Sequence, residues 1–369
     1  MEQLDRLLED IEENIDFEQC LEIDQRYARA LNYEAVDRPP LTIECQQYAM
    51  ALGPISYQEA FEDPAKMMYN ELLVRVKFCM ETCDDGAKAL RSDHGTVVVS
   101  SMLGGNWKIR TDMWPWVEPF RDLDKIREIV DKGVPEINAG LAGRVYEFMQ
   151  FYNEKLNDYP KCKQAIQIAK PDPQGPFDVA ELLCGSGIFL HLYDEPELIG
   201  NLLSLVAKTT VAYYKHLKPV SVDRSSPELT CQHGYMIPGE ILIRNDSIIN
   251  VSPQVYKDLV QKHDEYVLTE LGGGSIHFCG DGSHQIDVLL ETKGLLGLDF
   301  GQTYMMDIDA IYAKCASRKI PIMNITVTPE QLISGEAAAK YPTGAVLSCQ
   351  AETVEQAKEI MTKYKNAGS

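Results

Sequence analysis

The stretch 272–284 reads GGGSIHFCGDGSH. A glycine run is followed by an apolar segment of strand length, and a second glycine-bearing turn closes it. Upstream, Ser252-Pro253 supplies an N-cap and an N1 proline, and Val255, Tyr256, Leu259, Val260, Val267 and Leu271 form an apolar stripe. A helix therefore runs into Gly272-Gly273-Gly274, and a strand at 274–279 runs out of it. From that strand onward, strand starts recur roughly every 20 to 25 residues, the spacing of βα units in a parallel sheet.

The runs that set this spacing are 274–279 (GSIHFC), 294–300 (GLLGLDF), 319–327 (KIPIMNITV) and 344–349 (GAVLSC), with 218–223 (KPVSVD) before them. Thr353 and Gln356 read as a capping box that opens the last helix. The first half has the same parts in a looser order. Strand-like runs lie at 96–100 (TVVVS) and 165–169 (AIQIA), and helical patterns at 64–83, 138–159 and 194–217, the last with Asp194 as cap and Pro196 in its first turn. Strands and helices alternate without a low-complexity linker. The pattern predicts an α/β fold, a single (β/α)8 barrel over 26–369 with an acidic helical extension at 1–25. A doubly wound sheet is the alternative.

Composition narrows the partners. The chain has 369 residues, 56 acidic against 35 basic, for a formal net charge of −21. That field repels nucleic acid and anionic membrane surfaces. The first twenty residues are acidic and helix-like, unlike a signal peptide, and no apolar run is long enough to span a membrane. Ten cysteines scattered through a chain of this size suit reduced thiols in a cytoplasm better than a disulfide framework.

His277-x-Cys279 is the pattern with chemical content. On a strand, positions two apart project to one face, and Gly280-Asp281-Gly282 places the pair near the strand's C-terminal end. In a barrel that end faces the active site. Alone, the pair reads as a hydrogen-bonded core histidine and a buried cysteine. Cys349 follows another apolar strand and precedes a helix cap, so it too is expected at a C-terminal strand end. One imidazole and two thiolates form a recognised catalytic zinc set with a fourth position open.

Other motifs carry less. Cys231-Gln232-His233 has the same spacing but no clear strand, and is read as a loop. Cys79 and Cys83 are explained by packing on one helix face, and Cys184-Gly-Ser-Gly has no strand-to-helix elbow. No dinucleotide fingerprint or P-loop occurs. All three tryptophans fall in NWKIRTDMWPWVEPF (106–120). That segment either lines a ligand or partner surface at the barrel mouth or holds a long loop to the body.

Several segments in order resemble the uroporphyrinogen decarboxylase superfamily. They are RYARALNYEAVDRPPL (26–41), ending in Asp37-Arg38-Pro39, and GPFDVAELLCGSGIFLHLYDEPELIGNLLSLV (175–206). IRNDSIINVSPQVYKDLV (243–260) and GGGSIHFCGDG (272–282) follow. The resemblance implies a (β/α)8 barrel. It departs from the porphyrinogen decarboxylases in LTIECQQYAMALG (41–53), which has none of the arginines they use, and is closest to the methylcobamide:coenzyme M methyltransferase branch. That branch implies zinc on His277, Cys279 and Cys349, although SCQ (348–350) lacks the usual Pro/Gly-rich setting. It also implies a corrinoid on a partner carrier protein and a small methyl donor or thiol acceptor. Trp107 and Trp114 are then expected against the corrinoid or its carrier. Asp246, Asp299 and Glu181 are the carboxylates expected as a fourth ligand or as hydrogen-bond partners of the ligands. A homodimer is one expectation for the assembly. A metal-independent decarboxylase or lyase on a non-porphyrin substrate is the alternative activity.

Overall fold

A computed structural model of the chain describes residues 2–45, 54–109, 113–223 and 228–367. The described residues form twelve strands, most of them separated by helices: β1 (Leu41–Cys45), β2 (Ala89–Arg91), β3 (Asn106–Lys108), β4 (Trp116–Glu118), β5 (Gln167–Ala169), β6 (Leu229–Gln232), β7 (Tyr235–Pro238), β8 (Leu242–Arg244), β9 (Gly274–Phe278), β10 (Leu295–Phe300), β11 (Ile322–Thr326) and β12 (Ala345–Ala351). Six of them form an all-parallel sheet in the order β1-β12-β11-β10-β9-β8, and β2 and β5 form a parallel pair. The other pairs, β3-β4 and β6-β7, are antiparallel hairpins.

Two stitches link the strand pair to the six-stranded sheet. Asp85 accepts the Leu41 N–H at 2.9 Å, and Asp84 accepts the Ile43 N–H at 2.9 Å, tying β1 to the segment that enters β2. Asp85 is itself gripped by Arg38 of the Asp-Arg-Pro motif and by Arg26. Beyond β5, Gly175 donates its N–H to the Arg244 carbonyl of β8 at 2.6 Å. A Cβ at Gly175 would sit 1.7 Å from Asn245 Oδ1, so the Gly-Pro-Phe segment needs its glycine for this close approach.

Strand parity sorts the core into two layers. Ala89, Ala169, Leu242, Met323 and Val346 pack with the β6–β7 hairpin and with Ile23, Tyr27 and Leu31 of the helix Phe17–Leu31. The alternate residues, among them Leu41, Ile43, Ile276, Phe278, Leu298, Phe300, Leu347 and Cys349, pack with the helices in a larger cluster. The first layer is the inner face and the second the outer. The hairpin turns at His233-Gly234, with φ of 53° and 86°, the two left-handed residues of a tight two-residue turn.

Expectation and structure part company in three places. Residues 96–100 do not form a strand; Val98–Met102 is a short helix. Val-rich sequence suits a strand, but this piece is buried on every side and hydrogen-bonds locally, with Ser100 and Ser101 Oγ returning to the carbonyls of Val97 and Val98. KPVSVD (218–223) contributes one bridge, Val222 to Ile168, and no strand. Asp194 closes the helix Ile188–Asp194, and Glu195 holds the N-cap position of the helix Pro196–Leu217 without a side-chain cap bond. The second part of LTIECQQYAMALG, residues 46–53, lies outside the described residues. Among those, no helix is long and apolar enough to cross a membrane.

Candidate metal centre

Three neighbouring parallel strands bring the centre together in register. Arg244 of β8 pairs with His277 of β9, and His277 pairs with Asp299 of β10. In-register residues of adjacent parallel strands project to one face, so the three side chains form a row across the inner face. His277 is 3% exposed and Asp299 fully buried.

The imidazole is held from behind. His277 Nδ1 lies 2.7 Å from Asp299 Oδ2, an oxygen that only accepts, so Nδ1 carries the proton. Nε2 then turns outward toward Cys279 Sγ at 3.4 Å and Asp246 Oδ1 at 3.6 Å. The ligand atoms of Asp246, His277 and Cys279 all lie within 4.8 Å of one another. Asp246 Oδ1 also accepts the Cys279 N–H at 2.7 Å, which fixes the turn after β9. Gly280 sits in that turn at φ 83°, and Gly301 leaves room for the thiol, since a Cβ there would come 2.7 Å from Cys279 Sγ.

Asp299 is shared. His233 Nδ1 lies 3.2 Å from the same Oδ2, and the Tyr235 hydroxyl donates to Oδ1 at 2.8 Å. His233 stands at the hairpin tip with its ring edge-on to His277, centroids 5.2 Å apart. His233, His277 and Asp299 also make a compact group, but both Nδ1 atoms are spent on the carboxylate. Burial disfavours the charged form of His277, yet Asp299 overcomes it and the imidazole is pushed up to about 10. Asp299 is correspondingly held far below the usual carboxylate range despite its burial. Burial wins at His233, whose imidazole is pushed below its ordinary value. The potential at His277 Nε2 therefore favours a positive charge, and a proton and a metal ion compete for it.

Two cavities meet in front of the row. One, of about 510 Å³, is floored by His233, Tyr235, His277 and Cys279. The other, of about 760 Å³, extends past Trp114 and Trp116 to Asp178, Glu181 and Asp246. Arg91, Asp93, Trp114, Asp172 and Arg244 line both. Arg91 is bound to Asp172 and, at 2.7 Å, to Asp93. Arg244 Nη2 is 3.5 Å from His277 Nε2.

His277 and Cys279 thus share one face, and the structure brings Asp246 to them. Cys349 does not join them. It lies on β12 beside Ile43, in the outer layer with Leu347 and Ala351, and its sulfur reaches the Gln350 carbonyl at 3.6 Å. It stands at the expected strand end but on the wrong parity for the cavity, and burial pushes its thiol up to about 11. Asp299 stands behind His277 rather than beside Cys279. Glu181 Oε2 accepts the Ser247 hydroxyl at 2.5 Å in the wall of the second cavity. Trp107 packs on Phe61 with centroids 5.4 Å apart and lines neither cavity, whereas Trp114 donates Nε1–H to Asp93 at 2.8 Å and lines both.

Sequence reasoning missed His233 and Arg244. The available signal for His233 was LTCQ-HG-YMIP, two apolar runs around a glycine-bearing pair. Histidine before glycine is an uncommon hairpin turn, which is why the segment read as a loop. Arg244 needed the register of β8 on β9, which no single-strand pattern supplies.

No protein-family model and no curated protein sequence matches the chain. Among solved structures, it resembles a methyltransferase from Methanosarcina mazei with a TM-score of 0.68. The superposition covers 94% of this chain and 99% of that one, at 14% sequence identity. The likeness is one of fold: an α/β architecture around a parallel sheet.

Proposed function

We propose that the protein is a zinc-dependent methyltransferase that moves a methyl group between a corrinoid, carried by a partner protein, and a small thiol. The observation that carries this reading is the orientation of His277. Its Nδ1 is committed to Asp299, so its Nε2 lone pair is aimed at the point shared by Cys279 Sγ and Asp246 Oδ1. A carboxylate behind a histidine, with a thiol and a second carboxylate in front, is the arrangement of a three-ligand metal site with its supporting hydrogen bond. The named solved structure of like fold, a methyltransferase, agrees in direction. We also read the eight parallel strands, joined at the Asp84–Asp85 and Gly175 stitches, as one closed (β/α)8 barrel over 26–369. In that reading the residues before 26 are a helical extension.

The donor set fits zinc: one imidazole nitrogen, one thiolate and one carboxylate oxygen, with the cavity on the open side. Zinc held there supplies a position at which a substrate thiol loses its proton and stays nucleophilic. The chain's own residues do the rest. Asp299 keeps His277 in one tautomer, and Asp246 fixes the Cys279 backbone. The cavity in front accepts the substrate, and Trp114 and Trp116 stand at its rim, where a corrinoid carrier would dock. Ten cysteines, none of them in a disulfide, suit a reducing cytoplasm.

Metal analysis of the purified protein tests the ligand set. Wild type is expected to hold about one zinc per chain. His277→Ala, Cys279→Ala and Asp246→Ala are each expected to lose most of it, and Cys349→Ala to retain it. Full retention in Cys279→Ala sinks the assignment. The transfer itself is followed anaerobically through the absorbance of methylcobalamin with a panel of thiols. No thiol-dependent demethylation overturns the activity.

A further inference from the structure

The metal cluster occupies one side of the cavity system and leaves the far wall of the larger cavity without a role. Asp178 on that wall is 2% exposed. One of its oxygens accepts the Ser247 N–H at 2.7 Å, and the other is buried with no hydrogen-bond partner. Glu181, one helical turn along, has only the Ser247 hydroxyl. Among the described residues neither carboxylate meets a lysine or arginine. Arg91, by contrast, is already held by Asp172 and Asp93. Trp114 and Trp116, 44% and 58% exposed, on the loop and strand of the β3–β4 hairpin, line the same cavity.

A carboxylate with no cationic partner, in a cavity that aromatic rings also line, is the chemistry that recognises an organic cation. Burial pushes Asp178 up to about 8, so Glu181 supplies the counter-charge, and the ring faces supply cation–π attraction. A hard inorganic cation wants a tight cage of oxygens, whereas this space is roomy and apolar on one side. The acidic excess of the whole chain, −21, adds attraction for positive ligands. We propose that the larger cavity, lined by Trp114, Trp116, Asp178 and Glu181, binds an organic cation of the alkylammonium class. The site stands on the cavity alone and rests on no step of the methyl-transfer reading.

The three tryptophans of the chain are 107, 114 and 116, and two of them line this cavity, so intrinsic fluorescence reports its occupancy. The full-length protein is titrated with choline as probe. A second titration uses its neutral isostere, in which a tert-butyl carbon replaces the trimethylammonium nitrogen. Choline is expected to change the fluorescence saturably and to bind about tenfold tighter than the isostere, or more. Glu181→Gln is expected to weaken choline about tenfold. Trp116→Leu, at an exposed position, is expected to weaken it about threefold with the melting temperature unchanged. Calorimetry of the same titration gives the affinity without fluorescence for the tryptophan variant. Equal affinity for choline and its isostere overturns the proposal, as does no saturable binding up to about 50 mM. Binding is read without turnover and alongside zinc content, so loss of one with the other intact separates this site from the metal centre.

Discussion

β9 and β12 look alike as sequence and do opposite things in the structure. Each is an apolar strand with a cysteine near its C-terminal end, followed by a turn. On β9, His277 and Cys279 share the inner face and meet Asp246 across the turn. On β12, Val346 takes the inner face, so Cys349, three residues on, falls to the outer one with Leu347 and Ala351. A shift of one residue moves a side chain from the cavity to the helix layer. Residue type and distance to a strand end therefore do not place a ligand; parity does.

The same split governs two fully buried carboxylates. Asp299, on the inner face, receives two imidazoles and a tyrosine hydroxyl and is held anionic. Asp264 lies on the helix Gln261–Glu270. One of its oxygens receives the neutral donors Asn245 Nδ2 and Tyr256 Oη at 2.6 and 2.8 Å, and the other has no partner. Neutral hydrogen bonds do not offset burial there, and the carboxyl is pushed up to about 7. Asp299→Asn gives the largest effect expected from breaking this contrast. Without the charge that raises His277 to about 10, the proton no longer competes for Nε2. Zinc affinity, measured by chelator competition from about pH 7 to 9, is expected to lose one proton from its pH slope. The pH-independent affinity falls roughly 10–100-fold, because the tautomer is no longer fixed. An unchanged slope removes Asp299 from the site.

Asp264→Asn sharpens the contrast from the outer side with a smaller effect. A carboxyl whose folded pKa exceeds its unfolded value binds its proton more tightly in the native state. Its stabilising contribution is full below about pH 4 and is lost as pH rises through about 7. Raising the carboxyl from about 4 to about 7 corresponds to roughly 4 kcal/mol over that window. Wild type is therefore expected to lose more stability than Asp264→Asn between pH 5 and 8, read from urea midpoints at each pH. Asp178, pushed up to about 8, acts in the same direction in both proteins and cancels from the comparison. Equal losses in the two proteins contradict a neutral Asp264.

The second half of the fold was legible because its strands are buried and regularly spaced. GSIHFC, GLLGLDF, KIPIMNITV and GAVLSC all contain strands of the sheet. The first half was less so. Its strands β1 and β2 carry Glu44 and Arg91, β2 is only three residues long, and hydrophobicity alone favoured the buried Val98–Met102 segment over them. The motifs Asp-Arg-Pro and Gly-Pro-Phe proved to mark joints: Arg38 clamps Asp85 at β1, and Gly175 closes on β8. At the site, His277, Cys279, Asp246 and Asp299 were named from sequence, because strand ends and carboxylates can be counted. His233 and Arg244 were not, since a hairpin folded against the inner face and the register of neighbouring strands are long-range facts.

Cys349→Ala makes the smallest change and tests parity most directly. The thiol sits in the outer layer, 1% exposed, and its polar contact is a weak one to its neighbour's carbonyl. Removing it deletes one buried sulfur and leaves a void of that size, a cost of about 1 kcal/mol. For a chain of this length the melting temperature falls by about 2 °C, with zinc content unchanged. Cys279→Ala should show the reverse, loss of most of the metal with little change in the apo-protein's melting temperature, because its thiol is only half-buried and fills no core. If instead Cys349→Ala released zinc and left stability alone, β12 would have to present its odd positions inward. The Leu41–Leu347 and Ile43–Cys349 register with β1 would then be shifted by one residue.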